Sequence, residues 1–137
     1  MVDSLENKIM NAYNVMITRL EQVIPSVSNG TWRYSDCPFA VVTPMDFPFT
    51  KKDAEYYTAD MDFQIAVMVR ETIPENWMRD VMALLSKAVT VMCIDDPALG
   101  NTAVDCHPAV MRPAQIDSGT KLYWGGIVVM RITIEYP

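Results

Sequence analysis

The chain has few side chains of the kinds that carry out catalysis. Its one histidine, His107, would need partners converging on it to act as a base or as a metal ligand. The neighbouring Cys106 would point to the opposite face of a strand, because successive strand side chains alternate. We therefore interpret His107 as a structural or surface residue.

Two pairs of carboxylates have the composition of a cation site or of an acid and base pair. Asp60 and Asp62 share one face of a predicted strand, and Asp95 and Asp96 are adjacent in a predicted turn. Neither pair adjoins a glycine-bearing calcium loop or has an obvious third ligand. Solvated carboxylates are the better interpretation, and no metal site is predicted.

Nucleophiles and phosphate-binding loops are equally hard to find. The three cysteines, Cys37, Cys93 and Cys106, have no close spacing, so they predict neither a disulfide framework nor a zinc site. The five glycines form no phosphate-binding loop, and no G-x-S-x-G motif surrounds Ser118. We predict that the chain is not an enzyme and uses no cofactor.

Length and charge narrow the class of protein further. The 137 residues suit a single domain over residues 1–137. The net charge of −6, with 11 scattered lysines and arginines, argues against sequence-independent binding of nucleic acid. No stretch approaches the roughly 18 apolar residues of a membrane helix, and Asp3 and Glu6 interrupt any signal peptide. We expect a soluble protein made inside the cell.

Two amphipathic helices are predicted by apolar residues that recur at three- and four-residue steps. The first covers residues 3–24, with Asp3 and Glu6 at capping-box spacing, and Pro25 would end it. A loop is predicted at residues 26–30. The second helix begins near Thr72, with Pro74 in its first turn, and ends near Ile94.

Four strands are predicted from alternation and from β-branched residues, at residues 39–42, 60–70, 104–112 and 122–136. Pro108 predicts an edge strand or a bulge, and Gly125 and Gly126 predict a bulge or bend in the last strand. Residues 44–57 have no clear period and are predicted to be a loop. The order α-β-β-α-β-β indicates an α+β fold, an antiparallel sheet of about four strands with two helices on one face.

Aromatic side chains in the middle of the chain have two interpretations. They are either core residues that tether loops or an interface, since buried contact patches are enriched in aromatic residues and methionine. Lys51 and Lys52 would meet an acidic neighbour or form a solvated tip. The candidate subunit or partner interface comprises Phe47, Phe49, Lys51, Lys52, Tyr56, Tyr57 and Trp124.

The order of elements resembles a known family. An opening amphipathic helix precedes an alternating strand that runs directly into a second helix, and a closing strand beginning Tyr123-Trp124-Gly125-Gly126 ends the domain. This pattern resembles the phage tail terminator, or tail completion, proteins, which are related to head–tail neck proteins. The resemblance implies a structural virion protein.

What the resemblance implies is a homo-oligomeric, usually hexameric, ring at the tail–neck junction of the virion, assembled in the host cytoplasm. The ring would cap the tail tube, stop its polymerisation and join it to the neck. Its partners would be the tail tube protein and neck or connector proteins, with DNA passing through the lumen without specific binding and no membrane involved. Two alternatives stay open: a head-completion or neck adaptor protein, and a small ligand-binding α+β module.

Overall fold

The computed structural model of the chain describes residues 4–24, 26–28, 38–69, 74–117 and 122–136. In these ranges two α-helices and a π-helix accompany a six-stranded sheet, which confirms the predicted α+β class. The elements in chain order are α1 (Leu5–Glu21), β1 (Ser26–Ser28), β2 (Phe39–Pro44), β3 (Phe49–Asp53), β4 (Tyr56–Met68), α2 (Pro74–Val89), the π-helix (Thr90–Ile94), β5 (Asp105–Asp117) and β6 (Leu122–Tyr136).

The sheet has the strand order β1-β2-β4-β6-β5, with β3 also paired to β4. All neighbouring strands are antiparallel except β1, which is parallel to β2. The centre of the sheet is the long β4–β6 pair, which runs from Tyr57↔Tyr136 to Met68↔Gly125. The predicted count of about four strands was low because β1 and β3 were missed.

The segment predicted as a loop, residues 44–57, contains β3 and the start of β4. Phe49 pairs with Ala59 and Thr50 with Thr58, and the side chain of Asp53 accepts a hydrogen bond from the Glu55 amide at 3.0 Å in the connecting turn. The loop prediction was wrong because all five β3 residues are exposed, so the strand lacks the alternation of a half-buried one. The loop prediction for residues 26–30 was also wrong over β1, which is only three residues long.

Both helices begin with recognisable signals, although one differs from the prediction. Ser4, and not Asp3, is the N-cap of α1, because its hydroxyl accepts a hydrogen bond from the Asn7 amide at 3.2 Å. Asp3, Pro25 and Thr72 lie outside the described residues. Helix α2 begins at Pro74, and helical structure continues through the π-helix to Ile94, as predicted.

Both α-helices pack on the same face of the sheet. Fully buried side chains from every layer meet there, among them Met16 of α1, Leu85 of α2, Ile65 of β4 and Ile132 of β6. A smaller apolar cluster lies on the other face at one end of the sheet, formed by Phe39, Val41, Ala66 and Met68 with Ile127 packed against them. The rest of that face is largely polar.

The glycine pair in β6 does not produce the predicted bulge. Pairing continues without a register shift through Gly125 and Gly126 to both β4 and β5. Gly126 is required instead by the close approach of α2, because a Cβ there would lie 2.5 Å from Val81 Cγ1 and 2.7 Å from Leu85 Cδ1. The register shift lies in β5, between Pro108 and Val110, and β5 is an edge strand of the sheet, as Pro108 predicted.

Candidate functional site

His107 lies on the exposed face of β5, with its side chain 48% exposed. Its Nδ1 atom lies 2.6 Å from Asp105 Oδ2, and the pairing register sets it beside Arg131 of β6. Cys106 is buried on the opposite face, as strand alternation predicts. The fold therefore separates the histidine from the nearest thiol.

The two described cysteines form a buried contact. Cys93 of the π-helix donates a hydrogen bond to the Val89 carbonyl at 3.3 Å and lies against Cys106 of β5. The hydrogen bond with Cys93, together with burial, holds the pKa of the Cys106 thiol well above its usual value. Since the thiolate is the nucleophilic form, Cys106 is poorly suited to covalent chemistry. Cys37 lies outside the described residues.

The carboxylates of β4 are paired with side chains of β6. Thr133 Oγ1 donates to Asp60 Oδ1 at 2.7 Å, and Arg131 donates from Nε and Nη2 to the two oxygens of Asp62 at 2.8 and 3.0 Å. These contacts form a polar band on the face of the sheet opposite the helices. Among the described residues, no group of three or more acidic, histidine or cysteine side chains is placed to hold a metal ion.

Asp96 organises the turn that follows the π-helix. It accepts hydrogen bonds from Arg19 Nη2 at 2.9 Å and from the Gly100 amide at 2.9 Å. These two hydrogen bonds hold the pKa of Asp96 below its usual value, and the bond from Arg19 has the larger effect. The turn contains three consecutive residues with positive φ, Leu99 at 49°, Gly100 at 64° and Asn101 at 67°. Asp96 is thus a structural residue, and Asp95 beside it is exposed.

The structure divides the predicted interface residues into two groups. Six of them lie in or near the β3–β4 hairpin, whereas Trp124 lies toward the other end of the sheet. Tyr57 pairs with Tyr136, which is separated from Trp124 along β6 by about 40 Å at about 3.3 Å per strand residue. Trp124 packs against Trp77 of α2, with ring centroids 4.8 Å apart. Trp77 Nε1 donates to the Gly125 carbonyl at 3.1 Å, so this pair joins α2 to β6.

The hairpin group exposes apolar and basic side chains together. Phe49 is 49% exposed, and Lys51 and Lys52 are exposed on the same strand. Met45, which precedes β3, is 48% exposed. Lys51 Nζ lies 6.0 Å from the centre of the Tyr57 ring, and the Tyr56 hydroxyl donates to Glu135. We call the surface formed by Met45, Phe49, Lys51 and Lys52 the β3 edge.

Phe47 lies in an apolar groove between α1 and the sheet. Its ring centroid is 5.3 Å from that of Phe63, which in turn lies 5.1 Å from that of Tyr13. The groove has a volume of about 450 Å³ and is lined by Ile9, Met10, Tyr13, Val42, Pro44, Phe47 and Phe63. Met10 is 43% exposed at this groove, and the sequence did not single it out because it lies off the apolar stripe of α1.

Further exposed apolar side chains lie on or beside β5, at the opposite edge of the sheet, and were not predicted; Val110 and Met111 point to opposite faces. These side chains are Ile94, Val104, Val110 and Met111, which are between 42% and 63% exposed. Asp95 and Asp105 follow directly after the first two in sequence. We call these six residues the β5 edge. The weak alternation around Pro108 was the signal for an edge strand, but it did not show which side chains stay exposed.

The fold and these surfaces define a small α+β domain with exposed apolar residues at both sides of one sheet. None of the helices in the described ranges is long and apolar enough to cross a membrane. The chain matches no protein-family model, and no curated protein matches its sequence.

Proposed function

We propose that this chain is a ring-forming structural protein of a tailed phage, a tail terminator that caps the tail tube, stops its polymerisation and joins it to the neck. The observation that supports this proposal best is the presence of exposed apolar side chains at two different edges of the sheet, the β3 edge and the β5 edge. A closed ring built from head-to-tail contacts needs two such surfaces on each copy.

The organisation of the domain is consistent with the same proposal. Strand β4 leads to α2 with few residues between them, and the long strand β6 closes the domain, which is the order on which the family resemblance rests. The net charge of −6 would disfavour tight binding of DNA passing through the lumen. In this proposal the protein lies at the tail–neck junction and contacts the tail tube protein on one side and a neck protein on the other.

The test is a capping assay with purified tail tube protein of the same phage. We expect the chain to bind tube ends and to limit tube length in negative-stain images. Binding to the portal side without any effect on tubes would instead indicate a head-completion or neck adaptor protein. If the chain stays a strict monomer and forms no ring even beside tube protein, the ring proposal is wrong.

The apolar groove at Phe47 favours a second candidate function, a small ligand-binding module. Its volume of about 450 Å³ lies within the range of about 300–1,000 Å³ that is usual for small-molecule pockets. Titration with an environment-sensitive apolar dye tests this candidate. Saturable binding that Phe47→Ala removes and Met111→Ala leaves unchanged, by a protein that stays monomeric and does not cap tubes, would favour the ligand-binding module.

A further inference from the structure

Strand β3 has an outer backbone edge with no described strand beside it. Within the described ranges β3 pairs with β4 alone, and β1 pairs with β2 only from Phe39 to Val41. The segment from Val42 to Asp53 therefore forms an open border of the sheet in the part of the chain that the structure describes. All five residues of β3 are exposed.

The register shows which main-chain groups of β3 face outward. Phe49 pairs with Ala59, and the Asp60 amide donates to the Pro48 carbonyl at 3.0 Å. This pattern makes Phe49 and Ala59 a non-hydrogen-bonded pair, and such pairs alternate with hydrogen-bonded ones along an antiparallel ladder. Lys51 occupies the next non-hydrogen-bonded position. The N–H and C=O groups of Phe49 and Lys51 thus point away from β4, toward the space that an added strand would occupy.

The side chain of Phe49 lies on the face of the sheet that the helices cover. Directly paired residues share a face, and Ala59, which is opposite Phe49, is buried in the main core. Phe47 lies two residues before Phe49 and packs on Phe63 in the apolar groove. The outward main-chain groups and the groove are therefore neighbours along one segment of chain.

The groove opens along this border of the sheet. Val42, Pro44 and Phe47 form part of its wall and belong to the same open segment, whereas α1 supplies the other wall, where Met10 is 43% exposed. A strand added beside β3 would direct alternate side chains toward the helices, which places one of them at the groove. A helix has no free backbone groups to pair with β3, and a small molecule in the groove would leave them unpaired.

Two irregularities limit how long the added strand can be. The Pro44↔Phe63 and Phe49↔Ala59 pairs are five residues apart on one strand and four apart on β4, so the chain bulges between β2 and β3. A second register shift follows Lys51. Because regular pairing is confined between these two points, a short extended segment is the occupant that fits.

We infer that β3 binds a short extended segment of another protein, which pairs with the main-chain groups of Phe49 and Lys51 and places a large apolar side chain in the groove at Phe47. Recognition by strand addition combines main-chain hydrogen bonds, which give affinity, with a side-chain pocket, which gives specificity. The inference goes beyond the proposed function and does not depend on a ring.

Peptide binding tests the inference. The probes are acetylated, amidated heptapeptides that carry fluorescein and in which threonine alternates with leucine, phenylalanine or tryptophan. We expect saturable binding in fluorescence anisotropy. Methylation of the peptide amide nitrogens on the edge that meets β3 should weaken binding by about 10-fold, whereas methylation on the other edge should leave it unchanged.

Two substitutions at one position separate the backbone of β3 from its side chains. Lys51→Pro removes the outward N–H, and an edge strand tolerates proline where that N–H does not pair. Lys51→Ala removes only the side chain. We expect Lys51→Pro to weaken peptide binding by about 10-fold and Lys51→Ala to change it by less than about 2-fold. Circular dichroism checks folding, and the methylated peptides carry the test if Lys51→Pro does not fold.

Substitutions at Met10 test the groove in the same assay. Met10→Glu places a charge where the apolar side chain would lie, and we expect it to weaken binding by about 10-fold. Met10→Leu keeps the wall apolar and should bind the peptides as the unmodified chain does. Val110→Ala on β5, at the other edge of the sheet, should have no effect.

Hydrogen exchange followed by NMR gives a readout that binding to the groove alone would not move. In the free protein the amides of Phe49 and Lys51 should exchange faster than that of Thr50, which faces β4. Bound peptide should slow exchange at Phe49 and Lys51 by about 10-fold or more. An apolar dye in the groove should leave both amides unprotected.

The outcomes separate this inference from the proposed function. If no probe binds, or if Met10→Glu removes binding while Lys51→Pro and the methylated peptides leave it intact, strand addition is wrong. Protection of the Phe49 and Lys51 amides that rises with the concentration of the chain alone would identify a second copy as the occupant and overturn the assignment to another protein. A chain that caps tubes but binds no probe leaves the ring proposal standing. A chain that binds the probes as expected but caps no tubes leaves this inference standing.

Discussion

Gly126 of β6 lies directly against Val81 of α2, and a Cβ on Gly126 would be 2.5 Å from Val81 Cγ1. Leu85 Cδ1 and the Arg112 carbonyl oxygen lie 2.7 and 3.1 Å from the same position. We expect Gly126→Ala to lower the free energy of unfolding by about 1–3 kcal/mol, because a methyl group must be forced into a filled space. Urea unfolding followed by circular dichroism measures the loss.

A double-mutant cycle checks that the cost comes from this contact. Val81→Ala removes the nearest atom, so it should destabilise the Gly126→Ala chain less than it destabilises the unmodified one. Additive effects of the two substitutions would show that α2 and β6 do not compete for this space.

Acid sensitivity is expected from the Arg19–Asp96 contact. Hydrogen bonds from Arg19 and from the Gly100 amide hold the pKa of Asp96 below its usual value. A depressed carboxylate pKa contributes stability above the pKa of the unfolded chain, about 3.9, and this contribution is lost as the pH falls through the folded value. Asp96→Asn should therefore destabilise the protein at pH 7 and have a smaller effect near pH 3.

The neighbouring carboxylate provides the control for this pH dependence. Asp95 is exposed and has no ion pair among the described residues, so Asp95→Asn should change thermal stability little at either pH. If Asp96→Asn destabilised the protein equally at both pH values, the Arg19–Asp96 ion pair would not be the source of the stability lost.

The buried thiols should be protected from alkylation. Cys93 and Cys106 are each 2% exposed, and the pKa of Cys106 is raised by its hydrogen bond with Cys93 and by burial. At pH 8 iodoacetamide should modify these two residues only after unfolding in guanidinium, as read by peptide mass spectrometry. Rapid modification of Cys106 in the folded protein would contradict the buried contact.

Trp77 joins α2 to β6 through two kinds of interaction. Trp77→Phe removes the hydrogen bond to the Gly125 carbonyl and should cost about 1 kcal/mol, while the ring contact with Trp124 remains. Trp77→Leu should cost about 0.5–1.5 kcal/mol more, because it also removes the aromatic pair. Equal stability of the two variants in urea unfolding would show that the Trp124 ring contributes nothing.

Much of the fold follows from periodicity, and the exceptions have physical causes. The apolar stripes of α1 and α2 and the alternation along β4 and β6 predict the helices, the central strands and most of the core. β3 was missed because a fully exposed strand has no alternation to detect. The role of Gly126 was missed because it depends on Val81, which is distant in sequence.

Of the two exposed edges of the sheet, only the β3 edge was predicted from the sequence. Composition pointed to Phe49 and the two lysines because they lie together in an aromatic segment of the chain. The β5 edge was not predicted because Val104 and Val110 look like ordinary strand residues, and their exposure depends on which strand ends the sheet. The exposure of these two valines is therefore decided by their position in the tertiary structure and not by the local sequence.

The prolines of β5 limit how another chain can be added there. Pro108 and Pro113 have no N–H to donate, and the register shift between Pro108 and Val110 interrupts the strand between them. A neighbouring strand cannot form a continuous hydrogen-bonded ladder along this border. Growth into fibres by repeated strand addition is therefore disfavoured at this border.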